Sequence, residues 1–230
     1  MSELVYVTVT QLSKELKKQP ILTDINLALS KGKIYGFRGK NGSGKTMLFR
    51  ALCGLIRPTE GSVIVGGNVL GEELSFPPSV GVLIEYPGFL NGYTGFKNLK
   101  MLAGLNNLID DDRIKESIKL VGLDPDDKRK YRKYSLGMKQ RLGLAQAIME
   151  EPDLIILDEP TNALDTDGIE ELKRLLLDLK AKNKCILIAS HDKEELDYLS
   201  NEIFMMENGR ITDHYRLEGD GRWAKRKSSL

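Results

Sequence analysis

Gly39-Lys40-Asn41-Gly42-Ser43-Gly44-Lys45-Thr46 restricts the fold of this chain more than any other stretch. It fits G-x-x-x-x-G-K-[ST], a loop that grips phosphate. The glycines let backbone N–H groups turn inward and come close to phosphate oxygens. Gly39, Asn41, Gly42, Ser43 and Gly44 form the candidate cradle, with Lys45 reaching the β- and γ-phosphates and the Thr46 hydroxyl placed for Mg²⁺. Lys33–Arg38 reads as a short buried strand entering the loop, and 46–55 reads as a helix leaving it, with Leu48, Leu52 and Leu55 at helical spacing. The loop therefore opens on a helix N-terminus, whose partial positive charge favours a polyphosphate. Such a loop points to a nucleoside triphosphate and leaves open what its energy drives.

The rest of the chain predicts one α/β domain over 1–230, with a mostly parallel core sheet, an N-terminal antiparallel β part and a helical insertion. Strand-like runs occur at Leu4–Thr10, Thr23–Leu29, Gly61–Val65 and Gly81–Ile84. The pattern turns helical from about Gly92 to Met149. Asp153–Leu157 and Lys184–Ala189 are continuous apolar runs, as buried parallel strands require. Between them Ile169–Lys182 reads as an amphipathic helix with Leu172, Leu175, Leu176 and Leu179 as its stripe. Strand–helix–strand of this kind implies a right-handed crossover, with the phosphate loop at the carboxyl end of a sheet strand. The core spans 1–85 and 150–212, the helical insertion about 86–149, and a short tail 213–230.

Two further stretches bear on the chemistry. Leu154-Ile155-Ile156-Leu157-Asp158-Glu159-Pro160 is an apolar strand ending in two carboxylates. Asp158 at the strand tip can join the Mg²⁺ shell with Thr46, and Glu159 can orient and deprotonate an attacking water. His191 ends the next apolar strand, where it can donate to the γ-phosphate or to that water. The net charge of +1 gives no general case for nucleic-acid binding. No apolar run approaches the roughly 20 residues needed to cross a bilayer, and no secretory signal is evident. Cys53 and Cys185 sit in apolar runs and read as buried free thiols of a reducing cytosol.

The phosphate loop, the strand-Asp-Glu and the strand-end histidine, in this order, resemble ATP-binding cassette ATPases. Tyr134-Ser135-Leu136-Gly137-Met138-Lys139-Gln140-Arg141 resembles the family signature, and Asn162-Ala163-Leu164-Asp165 its D-loop. The likeness covers about residues 3–212. It implies Mg²⁺-dependent ATP hydrolysis and a head-to-tail pair of cassettes, in which Ser135 and Gly137 complete the site of the second copy. From the residues alone, the favoured reading of Ser135 is an ordinary helix N-cap. Leu136 and Met138 depart from the signature's glycine and glutamine. Glu85 aligns with a family glutamine, where it would reach the Mg²⁺ shell while adding negative charge. Leu16 aligns with the adenine-stacking aromatic, and a leucine there implies loose base selectivity.

Tyr134–Met138 and the Glu85-x-Pro87 segment look most like the cassettes of bacitracin- and lantibiotic-type exporters. That resemblance implies a separate membrane permease and a peripheral place on the inner face of the cell membrane, with no nucleic-acid partner. Phe89, Leu90, Tyr93 and Phe96 would then be either permease anchors or packing of the insertion. Asp110–Asp112 and Asp124–Lys133 read as solvated faces. The tail around Arg222–Lys227 reads as frayed, or as a contact for anionic lipid. A soluble cassette ATPase in cofactor assembly is the alternative to transport. A P-loop kinase fits neither the signature nor Glu159.

Overall fold

The structure, a computed structural model, describes residues 4–85, 88–218 and 223–225. It opens with β1 (Val5–Leu16), β2 (Gln19–Ser30), β3 (Lys33–Arg38) and α1 (Lys45–Leu52). Next come β4 (Glu60–Val65), β5 (Asn68–Val69) and β6 (Val80–Leu83), then α2 (Gly95–Asn106), α3 (Asp111–Leu120) and α4 (Leu136–Ile148). β7 (Leu154–Asp158), α5 (Thr166–Ala181), β8 (Cys185–Ser190) and α6 (Lys193–Leu199) alternate. β9 (Glu202–Glu207), β10 (Arg210–Leu217) and β11 (Trp223–Lys225) follow.

The larger sheet runs β11-β10-β9-β3-β8-β7-β6, with β9, β3, β8, β7 and β6 mutually parallel. Its central strands are buried on both faces, which explains their unbroken apolar runs. Side chains alternate between the faces. Ile155, Leu157, Ile186 and Ile188 pack with the helices, whereas Leu154, Ile156, Leu187 and Ala189 pack with α1 and the smaller sheet. That smaller sheet, β2-β1-β4-β5, is antiparallel throughout. Both cysteines are free and buried, and burial pushes each thiol up to about 12.

Several boundaries differ from the sequence reading. β1 continues to Leu16 instead of ending at Thr10. Gln11 at φ 48° forms a bulge, so the buried positions step from Val7 and Val9 to Leu12 and the period of two is broken. Asp110 is not merely a solvated face, because its carboxylate accepts from the Arg113 N–H (2.9 Å) and caps α3. Tyr131 and Tyr134, inside and beside the charged 124–133 run, are buried. The tail boundary at 212 falls within β10. Trp223–Lys225 pairs with Tyr215–Leu217 as a strand, not as a frayed end. Arg222, Arg226 and Lys227, and Pro87 of the segment after Glu85, lie outside the described residues.

The α4 helix joins the insertion to the sheet. A Cβ on Gly81 of β6 would lie 1.7 Å from the Ala147 carbonyl oxygen, so only glycine permits this approach. Phe89 stacks edge-on against Tyr131 at 5.3 Å and Phe96 packs on the same core, whereas Leu90 and Tyr93 are exposed. The four residues thus divide between packing and open surface.

Candidate functional site

The phosphate loop connects β3 to α1. Gly44 is the N-cap of α1 at φ 107°, with no side-chain cap, and Gly42 has φ 81°. These left-handed glycines turn the loop so that the first N–H groups of α1 face outward without an internal acceptor. A turn between β9 and β10 braces the loop: the Gly209 N–H donates to the Ser43 carbonyl at 2.9 Å, and the Thr23 N–H donates to the Gly209 carbonyl at 2.9 Å.

A cavity of about 600 Å³ opens beside the loop. It is lined by Asn41 through Met47, by Glu85, Asp158 and Glu159, and also by Ile21, Gln140 and Asn162. Lys45 is buried, and its Nζ donates to the carbonyls of Gly39 (2.6 Å) and Lys40 (3.4 Å). The Thr46 hydroxyl donates to Asp158 Oδ2 at 2.6 Å, bringing two oxygen ligands together. Burial raises the Asp158 carboxyl above its ordinary range; the Thr46 hydrogen bond and Lys45 oppose the rise, while the charges of Glu159 and Glu85 add to it.

Glu159 has φ 49°, a left-handed conformation costing about 1–3 kcal/mol for a residue with a Cβ. Two elements hold it there. Its N–H donates to the Ala189 carbonyl (2.8 Å), and Gln140 Nε2 of α4 donates to the carbonyls of Glu159 (3.3 Å) and Pro160 (3.0 Å). Its side chain pairs with His191, Oε2 to Nδ1 at 2.8 Å. Its other oxygen, Oε1, is buried without a hydrogen-bond partner, as is the Ser43 hydroxyl. Two orphaned polar atoms beside one cavity fit a polar ligand.

Glu85 lies at the cavity wall with φ 59°, and its carboxylate pairs with Arg50 of α1 at 2.7 Å. Leu16, at the tip of the β1–β2 hairpin, is 44% exposed and is not among the lining residues; Ile21 of β2 takes an apolar place there. Ser135 and Gly137 are also outside the cavity. The Ser135 hydroxyl accepts from the Met138 N–H (3.1 Å) as the N-cap of α4, and Gly137 approaches the Ala163 carbonyl so closely that a Cβ would sit 2.8 Å from it.

A triphosphate fits this donor set. Lys45, the uncapped N–H groups of α1 and the Ser43 hydroxyl supply donors, whereas the orphaned Glu159 Oε1 is an acceptor suited to water. Among the described residues no three His, Cys, Asp or Glu side chains form a metal cluster. Mg²⁺ does not require one, because it is typically held by one or two protein oxygens together with substrate phosphates.

The description "ABC transporter" belongs to the family that matches residues 22–162. An uncharacterized ABC transporter ATP-binding protein of Bacillus subtilis is 46% identical over 205 residues, which is 89% of this chain and 94% of that protein. The bacitracin transport ATP-binding protein of Enterococcus faecalis is 39% identical over 92% of this chain and 70% of its own length. Among solved structures, a dimeric post-hydrolysis state of an ATP-binding cassette bound to ADP and Pi superposes with a TM-score of 0.84 at 21% identity, covering 93% of this chain and 99% of that one.

Proposed function

The chain belongs to the ABC transporter family, and from that premise we propose that it drives export of an antibiotic or peptide through a separate membrane permease. The observation that carries the catalytic part is the meeting of Lys45, the Thr46–Asp158 pair and Glu159, itself paired with His191, at one cavity. Likeness to the bacitracin transport protein supports the transport part over cofactor assembly. No described helix is long and apolar enough to cross a membrane. The cassette works from the cytoplasmic face as one nucleotide-binding domain.

ATP is cleaved to ADP and phosphate. Lys45 and the loop N–H groups neutralise charge developing on the γ-phosphate. Thr46 and Asp158 would hold Mg²⁺, which would supply positive charge to the phosphates. Glu159 takes a proton from the attacking water. His191 donates through Nδ1 to that carboxylate and orients it; donation from Nε2 to the γ-phosphate as well requires the doubly protonated ring. Ser135 and Gly137, away from the cavity of their own chain, meet the ATP of a second copy packed head to tail. ATP binding closes the pair because the closed state binds it more tightly.

Two experiments test these assignments. Copurification of the tagged chain from its native membrane is expected to bring down a polytopic membrane protein; recovery of soluble partners alone would sink the export reading. Glu85→Gln removes one negative charge from the Asp158 side of the cavity. It is expected to raise the Mg²⁺ concentration for half-maximal turnover about fivefold, the effect of roughly 1 kcal/mol for a charge in this solvated setting. An unchanged Mg²⁺ titration removes Glu85 from the metal environment.

A further inference from the structure

Behind the Glu159–His191 pair lies a carboxylate that the proposed reaction does not use. Glu195, in the first turn of α6, is only 5% exposed. One of its oxygens, Oε2, accepts two hydroxyl hydrogen bonds, from Ser190 Oγ at 2.8 Å and from Thr161 Oγ1 at 3.1 Å. Its other oxygen, Oε1, is buried with no hydrogen-bond partner. Ser190 is the residue before His191, and Thr161 is two residues after Glu159. One buried side chain therefore joins the two segments that carry the catalytic carboxylate and its imidazole.

A buried acid with an unpaired oxygen costs stability, so a purely structural role is better filled by an apolar residue. Burial raises the Glu195 carboxyl above its ordinary range, the two hydroxyls oppose this, and the charges of Asp192 and Glu159 add to it. Ser190 also accepts from the Asp192 N–H at 3.0 Å, and Asp192 caps α6 through the N–H groups of Glu194 and Glu195. The cap and the hydroxyl bridge fix where Glu195 stands.

We propose that Glu195 is a positioning residue: it ties the segment after Glu159 to the segment before His191 and so preserves their contact. Gln140 holds the carbonyls of Glu159 and Pro160, and Glu195 holds the Thr161 hydroxyl. The inference rests on the reading of Glu159 as the base.

The test compares Glu195→Ala and Glu195→Gln in the full chain, with ATP turnover and nucleotide KM measured together. Glu195→Ala is expected to lower kcat by at least about 10-fold, within the range that small misplacements of a catalytic group produce, while KM changes less than about twofold. Glu195→Gln, whose amide oxygen still accepts both hydroxyl hydrogen bonds, is expected to recover kcat to within about 3-fold of wild type. Wild-type kcat in Glu195→Ala, a KM that rises in step with the loss, or a glutamine variant no better than alanine overturns the proposal. If the alanine chain does not fold, Thr161→Val and Ser190→Ala carry the test. Each removes one hydroxyl and is expected to lower kcat at constant KM; unchanged kcat in both overturns the proposal. Turnover that survives Glu159→Gln defeats the reading of Glu159 and this inference with it, whereas wild-type kcat in Glu195→Ala defeats the inference alone.

Discussion

Glu159→Gln is expected to cut ATP turnover by about 10³-fold, leave nucleotide binding intact and hold two copies together as an ATP-bound dimer. The substitution is nearly isosteric. The amide keeps the shape that fits beside His191, and the backbone contacts to Ala189 and Gln140 do not involve the side chain. What disappears is the capacity to take a proton from water. The cavity also gains a positive increment where it faces the γ-phosphate, which favours the bound state. A closed pair that forms on binding and opens on hydrolysis then accumulates, because only its exit is blocked. Phosphate release at steady state and size-exclusion chromatography with and without ATP check both halves. Near-normal turnover defeats the assignment of Glu159 as base. A monomer that stays monomeric with bound ATP defeats the closure step.

The residues read most directly from the sequence are those whose chemistry and position lie in one short stretch. Gly39–Thr46 carries its own turn geometry, and Asp158 and Glu159 end an unbroken apolar strand whose central position that run already implies. His191 follows for the same reason. Groups brought in by tertiary contact were not legible in this way. Gln140 reaches the Glu159 carbonyl from another helix, and Gly209 braces Ser43 from a distant turn. Ile21 lines the cavity, whereas Leu16 stands at the tip of the β1–β2 hairpin. Glu195 looks like an ordinary acidic residue in the first turn of a helix, a place where such residues are favoured anyway. Only its burial and its two hydroxyl partners separate it from that reading. The bulge at Gln11 hid half of β1 by breaking the period of two, and β11 is too short to carry a pattern.

Lys45→Ala is expected to weaken ATP binding by about 100-fold, the loss of roughly 2.7 kcal/mol, without lowering the stability of the nucleotide-free chain. The two effects have different origins. In the free chain Lys45 is 6% exposed, its ammonium donates to the carbonyls of Gly39 and Lys40, and its charge acts on Asp158. A buried cation hydrogen-bonded to neutral acceptors recovers only part of its desolvation cost. Its removal leaves those two carbonyls beside an open cavity, where water can reach them. With ATP bound, the same ammonium meets charged phosphate oxygens, and charge-assisted hydrogen bonds of this kind contribute about 1.5–3 kcal/mol. Thermal unfolding separates these contributions. At an ATP concentration 100 times the wild-type Kd, ligand binding stabilises the wild type by about 2.7 kcal/mol, which for a domain of this size is a shift of about 5–10 °C in Tm. At the same concentration the variant is near its own Kd, and its shift falls to about 1 °C. Its Tm without nucleotide is expected to match or exceed that of the wild type. An undiminished ATP-induced shift in Lys45→Ala would show that the phosphates are held without this ammonium. A large drop in the nucleotide-free Tm would show that Lys45 serves the fold before it serves the ligand.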